Sequence, residues 1–382
     1  MSNLYKKIVE KLKSYQYNHI NGRLLIWVLA LTILGINVIG SAKPGAGYDK
    51  RQIFGLCLGL GVLIVVALFD YHFILRFYWL IYIFNLGLLL AVHFFGENNK
   101  GAQRWIEIKG FQFQPSELTK IFLILIMAAL VGKCIERINS FKVIAFITVV
   151  FLIPVALILK QPDLSTSIVI CTVFCIIMYV AGLSYKIIGG ILAVGIIAAC
   201  ILVYLVMQPG QTIIKTYQLN RIIGFYNPES ELGQKIDHQQ NNSLIAIGSG
   251  GLWGKGLYND DENSVKNGNY IPEPQTDFIF TIVGEELGFV GTISVVVLLT
   301  LICIECFYMG AHAPDIMGRI ICCGFGGLVA IQSFINLAVV TRLIPNTGLP
   351  LPFVSYGLSS LVSLYLGLGF VFNVGLQHKK LL

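Results

Sequence analysis

The sequence has 382 residues, of which 56% are hydrophobic and 12% charged, with a formal net charge of +7. Soluble proteins carry about 25% charged residues, and so few charges cannot cover the surface that this much apolar side chain would present to water. Soluble enzymes, nucleic-acid binders and disordered scaffolds are excluded, and the positive excess belongs to loops that meet anionic lipid.

A membrane-crossing helix needs about 20 apolar residues. Windows of that kind recur near 23–42, 53–70, 74–95, 116–135, 142–160, 164–183, 185–207, 278–309, 317–344 and 353–376. The pattern predicts an all-α polytopic membrane protein of ten spans, a single membrane domain over 1–382. An even number of spans puts both termini on one side, and both are basic: Lys6, Lys7, Lys11, Lys13 and Arg23 at one end, Lys379 and Lys380 at the other. With the longest connection set aside, Lys and Arg divide thirteen to eight in favour of that side, so the positive-inside rule predicts cytoplasmic termini. Residues 1–22 are expected to form a basic cytoplasmic segment in which Leu4, Ile8, Leu12 and Tyr15 recur at helical spacing, as in an interfacial helix, or to be a frayed basic tail. The polar length of 1–22 and the spans that follow predict that the first apolar run is retained as a span rather than cleaved as a signal.

Two segments are not simple spans. Between 96 and 115, Ile106, Ile108, Phe111 and Phe113 alternate with polar residues around Lys109-Gly110, which predicts a β-hairpin. Residues 208–276 form a connection of 69 residues between spans 7 and 8. Loops of that length are functional or disordered. Leu244, Ile245, Ile247, Leu252, Trp253 and Leu257 give this one apolar surface to lay on a membrane, and a functional loop is predicted. Gly55/Gly59 and Gly284/Gly288 have the GxxxG spacing of close helix packing. All nine cysteines lie in or beside apolar runs, so Cys303-Ile-Glu-Cys306 reads as buried thiols and no disulfide framework is implied.

Ionisable groups inside a membrane are costly, and each is a functional candidate. They are Glu117, Lys120, Asp163, Asp277, Glu285, Glu286 and Glu305. Glu117 and Lys120, three residues apart on one helix face, are placed either to pair or to contact substrate. Asp277 stands at the polar-to-apolar boundary of YIPEPQTDFIFTIVGEELG (270–288), behind Pro272 and Pro274, where Thr276 or Asp277 could cap the next helix. Glu273, Asp277 and one of Glu285 and Glu286 could line an acidic cleft faced by Arg104, Lys120, Arg221, Lys255 and Arg342. Such a cleft suits a sugar substrate with a phosphate leaving group, or the ion site of a coupled transporter. The run AIGSGGLWGKG (246–256) could form an anion-binding nest or a flexible turn.

The stretch NLAVVTRLIPNTGLPLPFVSYGLSS (336–360) resembles the signature of the SEDS proteins, the RodA/FtsW group. GAQRW (101–105), QPSELTK (114–120), KQPDLSTS (160–167), NSLIAIGSGGLWGKGL (242–257) and PEPQTDFIFTIVGEELG (272–288) agree in order. Leu358, Asn346 and Asn242-Ser243 depart from the family's usual residues. The length and short tail resemble the RodA branch, which implies a role in cell elongation and shape. The resemblance implies a peptidoglycan glycosyltransferase of the bacterial cytoplasmic membrane. Such proteins polymerise lipid II at the outer face beside a monofunctional class B penicillin-binding protein. Asp277 matches the family's essential acid, and Arg104, Trp105, Glu117 and Lys120 match its outer cavity. Asp163, Arg221, Ser243, Lys255, Glu273 and Ser355 complete the expected substrate-binding set. In the implied reaction Asp277 accepts the proton of the attacking sugar hydroxyl. Lys120, Arg104 or Arg221, or a divalent cation (Mg or Mn), meets the charge of the leaving pyrophosphate. The alternatives are a lipid II flippase or ion-coupled lipid transporter, and a non-enzymatic scaffold for the transpeptidase.

Overall fold

The computed structural model describes residues 21–99, 102–108, 111–190, 193, 197, 204, 225, 231–260, 264–268 and 270–377. The expected interfacial helix of the N-terminal segment, most of the span expected at 185–207, and Arg221 lie outside them.

The chain begins with α1 (Gly22–Ala42), capped by the Asn21 carboxamide oxygen, which accepts from the Leu24 amide at 3.1 Å. After a tight turn, α2 (Tyr48–Leu68) starts five residues ahead of the apolar window, because Asp49, Lys50 and Arg51 occupy its first turn outside the apolar stretch. The expected third span is broken at Arg76-Phe77 into α3 (Tyr71–Leu75) and α4 (Tyr78–Phe95). Strands β1 (Glu97–Asn99), β2 (Ala102–Ile108) and β3 (Phe111–Phe113) follow as an antiparallel sheet. Ile106 faces Phe113 and Ile108 faces Phe111, the pairing that the alternation predicts, and β1 adds a third strand the sequence pattern did not announce. Pro115 then opens α5 (Pro115–Cys134) at a position where its missing N–H costs nothing. Next come α6 (Phe141–Lys160) and α7 (Leu164–Val180), the latter capped by Asp163.

Within the long connection lies α8 (Glu231–Ser249). The last three helices are α9 (Ile279–Ala311), α10 (Ile316–Val340) and α11 (Leu358–Leu376). The window expected at 353–376 begins as helix only at Leu358, because the chain after Pro352 folds into a turn in which the Val354 and Ser355 amides bond the Leu351 carbonyl and Phe353 takes a left-handed φ of 64°.

Eight of these helices, α1, α2, α4, α5, α6, α9, α10 and α11, are long and apolar enough to cross a membrane, and α7 is a shorter apolar helix. Nine of the ten expected spans thus fall on described helices, and the all-α polytopic reading holds. The centre of the bundle is α10, α11 and α5. Of the best apolar window, 78% is buried in α10 and 72% in α11, against 28% in α2 and in α4, which turn most of their surface outward. Gly59 lets α2 touch α11: a Cβ there would stand 3.0 Å from the Tyr365 ring, the close helix packing expected of Gly55/Gly59. Cys303, Cys306, Cys322 and Cys323 are buried and free.

The turns at 69–77 and 312–315 meet on one face with the end of α11. There His72 bridges Asp70 (2.9 Å) and Asp315 (2.8 Å), Tyr71 donates to Asp315 at 2.7 Å, and Gln377 donates to Asp70 at 2.9 Å. Hydrogen bonds to Asp315 and Asp70 push the His72 pKa up to about 9, against a smaller opposing effect of burial. Burial raises Asp315, but hydrogen bonds from His72, Tyr71 and the Gly318 amide outweigh it and leave the carboxyl below its usual range. A raised imidazole pKa means that the charged form is bound more tightly in the folded state. Its contribution is complete below the unfolded value near 6.5 and is lost as pH rises through about 9. Thermal unfolding in detergent is expected to show that loss between pH 6.5 and 9. The His72→Gln variant is expected to be less stable at neutral pH and flat over the same range; a slope unchanged by the substitution would contradict this.

Candidate functional site

The face opposite that cluster carries the sheet, the long connection and the loop 341–357. Asp277 lies there, partly exposed, where the chain descends from the long connection into α9. It does not cap the helix. Phe278 takes the N-cap position with no side-chain hydrogen bond, and the Thr276 hydroxyl donates to the Glu273 carbonyl instead. Neither of the two residues that the sequence offers as caps takes the N-cap position. What holds this turn is backbone clamping from the signature segment. Asn336 on α10, 1% exposed, donates from one carboxamide nitrogen to the Asp277 carbonyl (2.8 Å) and the Leu349 carbonyl (2.7 Å). The Ser355 hydroxyl donates to the Thr276 carbonyl at 2.6 Å and accepts from the Leu351 amide at 2.7 Å. The Tyr356 amide donates to the Gln275 carbonyl at 2.9 Å, and Gln52 of α2 holds the Ser355 carbonyl and the Gly357 amide in turn. Three successive carbonyls, 275 to 277, are therefore pinned while the Asp277 side chain stays partly open to solvent.

The Gly-rich run does something other than cradle an anion. Gly288 breaks α9 at φ 65°, ψ −160°, a conformation in which a side chain is strained. In an unbroken helix the Phe289 and Val290 amides would bond the Glu285 and Glu286 carbonyls. Here Phe289 donates to the Gly251 carbonyl (2.8 Å) and Val290 to the Leu252 carbonyl (3.2 Å). The vacated carbonyls of Glu285 and Glu286 accept from the Lys255 (3.0 Å) and Gly256 (2.9 Å) amides. A Cβ on Gly254 would collide with the Glu286 carbonyl, so the two chains can approach only at glycine. The amides that an anion nest would need are thus paired, those of Lys255 and Gly256 with α9 and those of Gly250, Gly251 and Gly254 with carbonyls of the run itself. Likewise Gly284 packs against Ile247 of α8, so the Gly284/Gly288 pair receives this connection, not a neighbouring span.

The acids beside the break serve the same junction. Glu285 receives Lys255 Nζ and the Val265 amide, each at 2.9 Å, and Glu286 receives Lys266 Nζ at 2.7 Å and the Ser41 hydroxyl at 2.5 Å. Both carboxylates are 1% exposed. Through Oε1 both belong to loop attachment, and that oxygen of neither is left to join Asp277 and Glu273 in the expected cleft.

Glu117 and Lys120 pair at 2.9 Å, and Lys120 also donates to Gln332 Oε1 at 2.8 Å, all buried. Gln332 in turn donates to the Pro350 carbonyl at 2.9 Å, so the pair is tied into the same signature loop as Asp277. Asp163, 3% exposed, accepts from the Thr166 amide at 3.2 Å and lies 3.7 Å from Arg104, whose guanidinium also reaches the Gln161 and Pro162 carbonyls. Trp105 is partly exposed on β2 beside Arg104, and Glu273 is exposed on the approach to Asp277. Ser243, fully buried on α8, bonds Thr281 at 2.5 Å and the Val340 carbonyl at 2.9 Å, which locks α8 onto α9 and α10.

Sequence reasoning restricted to ionisable groups passed over Gln52, Gln332 and Asn336 as functional side chains. For Gln332 and Asn336 the available signal was a carboxamide in the middle of an apolar run, which needs a partner as surely as a charge does; Gln52, directly after Asp49-Lys50-Arg51, carries no such mark. Lys266 lies in a polar stretch with no pattern to mark it. Losing the Lys120 ammonium leaves a buried carboxylate without its cation, at a cost of about 3–5 kcal/mol. Lys120→Met is therefore expected to lower the unfolding temperature sharply, and Glu117→Gln/Lys120→Met to recover part of the loss. Equal losses in the single and double variants would rule out a structural pair.

Residues 22–380 match the FtsW/RodA/SpoVE family described as "Cell cycle protein". The chain is 36% identical over 367 residues to the probable peptidoglycan glycosyltransferase FtsW of Trichlorobacter lovleyi, covering 92% of each. It is 34% identical over 368 residues to the peptidoglycan glycosyltransferase MrdB of Escherichia coli K12, covering 95% of each. Its fold matches the crystal structure of the rod shape determining protein RodA of Thermus thermophilus with a TM-score of 0.67 at 29% identity, over 94% of this chain and 96% of that one. It also matches a chain from a structural study of a peptidoglycan synthase complex that coordinates polymerization and crosslinking, with a TM-score of 0.74 at 29% identity, over 94% and 97%. The chain is a multi-pass membrane protein of the FtsW/RodA/SpoVE family.

Proposed function

We propose that this protein is a peptidoglycan glycosyltransferase that polymerises lipid II at the outer face of the bacterial cytoplasmic membrane, with Asp277 as general base and both termini in the cytoplasm. The observation that carries the reading is the immobilised, partly exposed Asp277: its backbone is held by the segment 336–360, at the turn that leads into α9. A general base must be held within hydrogen-bond reach of the proton it accepts, and a pinned backbone supplies that.

The 4-hydroxyl of the acceptor's N-acetylglucosamine attacks C1 of the donor's N-acetylmuramic acid. Its oxygen forms the new glycosidic bond, its proton passes to Asp277, and the C1–O bond to the pyrophosphate breaks with the electron pair leaving on phosphate. One displacement at an α-linked donor gives a β-linkage without a covalent enzyme intermediate. Arg104, 22% exposed at its side chain and next to Trp105 on β2, is the described cation that meets the leaving group in this reading. Lys120 acts at one remove, through Gln332 and Pro350. Ser355 and Asn336 are positioning residues for Asp277. Among the described residues no three His, Cys, Asp or Glu side chains are grouped as a metal-ion site.

Two named glycosyltransferases among the relatives support the chemistry, and the synthase-complex match supports a penicillin-binding protein as partner. The likeness to RodA supports a role in elongation and shape, while the relatives named FtsW fit division equally well. Against an ion-coupled flippase stand Glu285 and Glu286, both buried in ion pairs with lysines rather than poised to bind and release a cation.

The test is glycan-chain formation from purified lipid II, with and without a class B penicillin-binding protein. Asp277→Asn is expected to reduce chain formation by about 10²- to 10⁴-fold while its unfolding temperature and membrane insertion stay unchanged. Polymerisation near the wild-type rate would remove Asp277 from the mechanism, and movement of lipid II without polymer would favour the flippase.

A further inference from the structure

We propose that the Leu252-Trp253 tip of the long connection is a membrane anchor, seated in the phospholipid interface beside the break in α9. With 33 residues, α9 is about 50 Å long, well beyond a hydrocarbon core of about 30 Å. Its first ten residues are buried except for partly exposed Leu287, with Glu285 and Glu286 among them, and the exposed side chains begin at Phe289 (58%) and Val290 (45%). From Phe289 to Ala311 the helix measures about 35 Å, a bilayer's worth, and Ile293, Val297 and Ile304 continue the exposed apolar row. The lipid boundary on this face of the bundle therefore lies at Phe289.

The loop is tied to α9 at that level. Gly251 and Leu252 carbonyls accept from the Phe289 and Val290 amides, so Leu252 (65% exposed) and Trp253 (78% exposed) prolong the lipid-facing row. Tryptophan favours this boundary, where its ring meets acyl chain and its N–H meets water or phosphate. The flank is basic. The Tyr258 amide donates to Ser41 at 3.0 Å, and Lys43 follows two residues on, while Lys50 and Arg51 are exposed on the first turn of α2, at phosphate height. An apolar tip beside a cationic rim is complementary to an anionic phospholipid surface. Since Lys255 and its amide hold Glu285, the anchor sets the depth of the whole connection. This inference stands apart from the sugar chemistry at Asp277.

The full-length chain and its Trp253→Phe variant are reconstituted in vesicles of phosphatidylethanolamine and phosphatidylglycerol. The acyl chains are plain, brominated near the glycerol end, or brominated near the methyl end. The other tryptophans are Trp27, Trp79 and Trp105, and the difference in emission between the two proteins isolates residue 253. That difference is expected to fall about twofold with bromine near the glycerol end, to change little with bromine near the methyl end, and to resist iodide added on both sides. Quenching by iodide and not by bromine would put Trp253 in water and overturn the proposal. Bromine quenching that disappears when a single-span transpeptidase shares the vesicle would assign the tip to a protein partner and overturn it equally.

Discussion

The break at Gly288 opens two hydrogen bonds of α9, and the long connection closes all four groups that the break exposes. Two amides go to the carbonyls of residues 251 and 252, and two carbonyls take the amides of 255 and 256. Unpaired backbone groups buried away from water cost several kcal/mol each, so a kinked helix and a non-helical loop can pack together there only by this exchange. Glycine is needed on both sides: Gly288 for its dihedrals and Gly254 for the approach. Glu285 and Glu286 then add Lys255 and Lys266 from the same connection, and Glu286 adds Ser41 from α1. A buried carboxylate is tolerable only with such partners. The residues that look most like an ion pathway in sequence are therefore the fastening of the loop.

Asp277 owes its place to both ends of that arrangement. On the upstream side the fastened connection delivers Pro272 to Thr276 to the top of α9. On the other side Asn336, Ser355 and Tyr356 grip the carbonyls of 275 to 277. The signature segment can do this because Pro345, Pro350 and Pro352 keep it from continuing α10 or starting α11 early, leaving backbone amides and carbonyls free to pair elsewhere. Gln332 and Asn336, a helical turn apart on α10, hold Pro350 and Leu349 respectively, and through Lys120 the same loop is joined to α5. A carboxylate with a fixed backbone and a partly open side chain is suited to take a proton from a bound hydroxyl.

Much of this was legible along the chain. The spans announced themselves by apolar length, because the bilayer imposes about 20 residues on any crossing helix. The hairpin followed from the alternation of Ile106, Ile108, Phe111 and Phe113, and Asp277 stood out as an acid at the mouth of a span. Errors fell where proline, glycine or a charged turn overrode hydropathy: at Arg76-Phe77, before Leu358, and at Tyr48.

By itself the sequence determined the class of protein, the order of the nine spans that fall on described helices and the family to which its motifs belong. These depend on composition and local spacing, which a bilayer reads one segment at a time. Only the tertiary structure decided which polar groups meet. Lys266 with Glu286, Asn336 with the Asp277 carbonyl, and Gly251 with Phe289 are 20, 59 and 38 residues apart in sequence. No local pattern encodes such pairings, because each is settled by the packing of whole helices and by the cost of leaving a buried donor or acceptor unpaired.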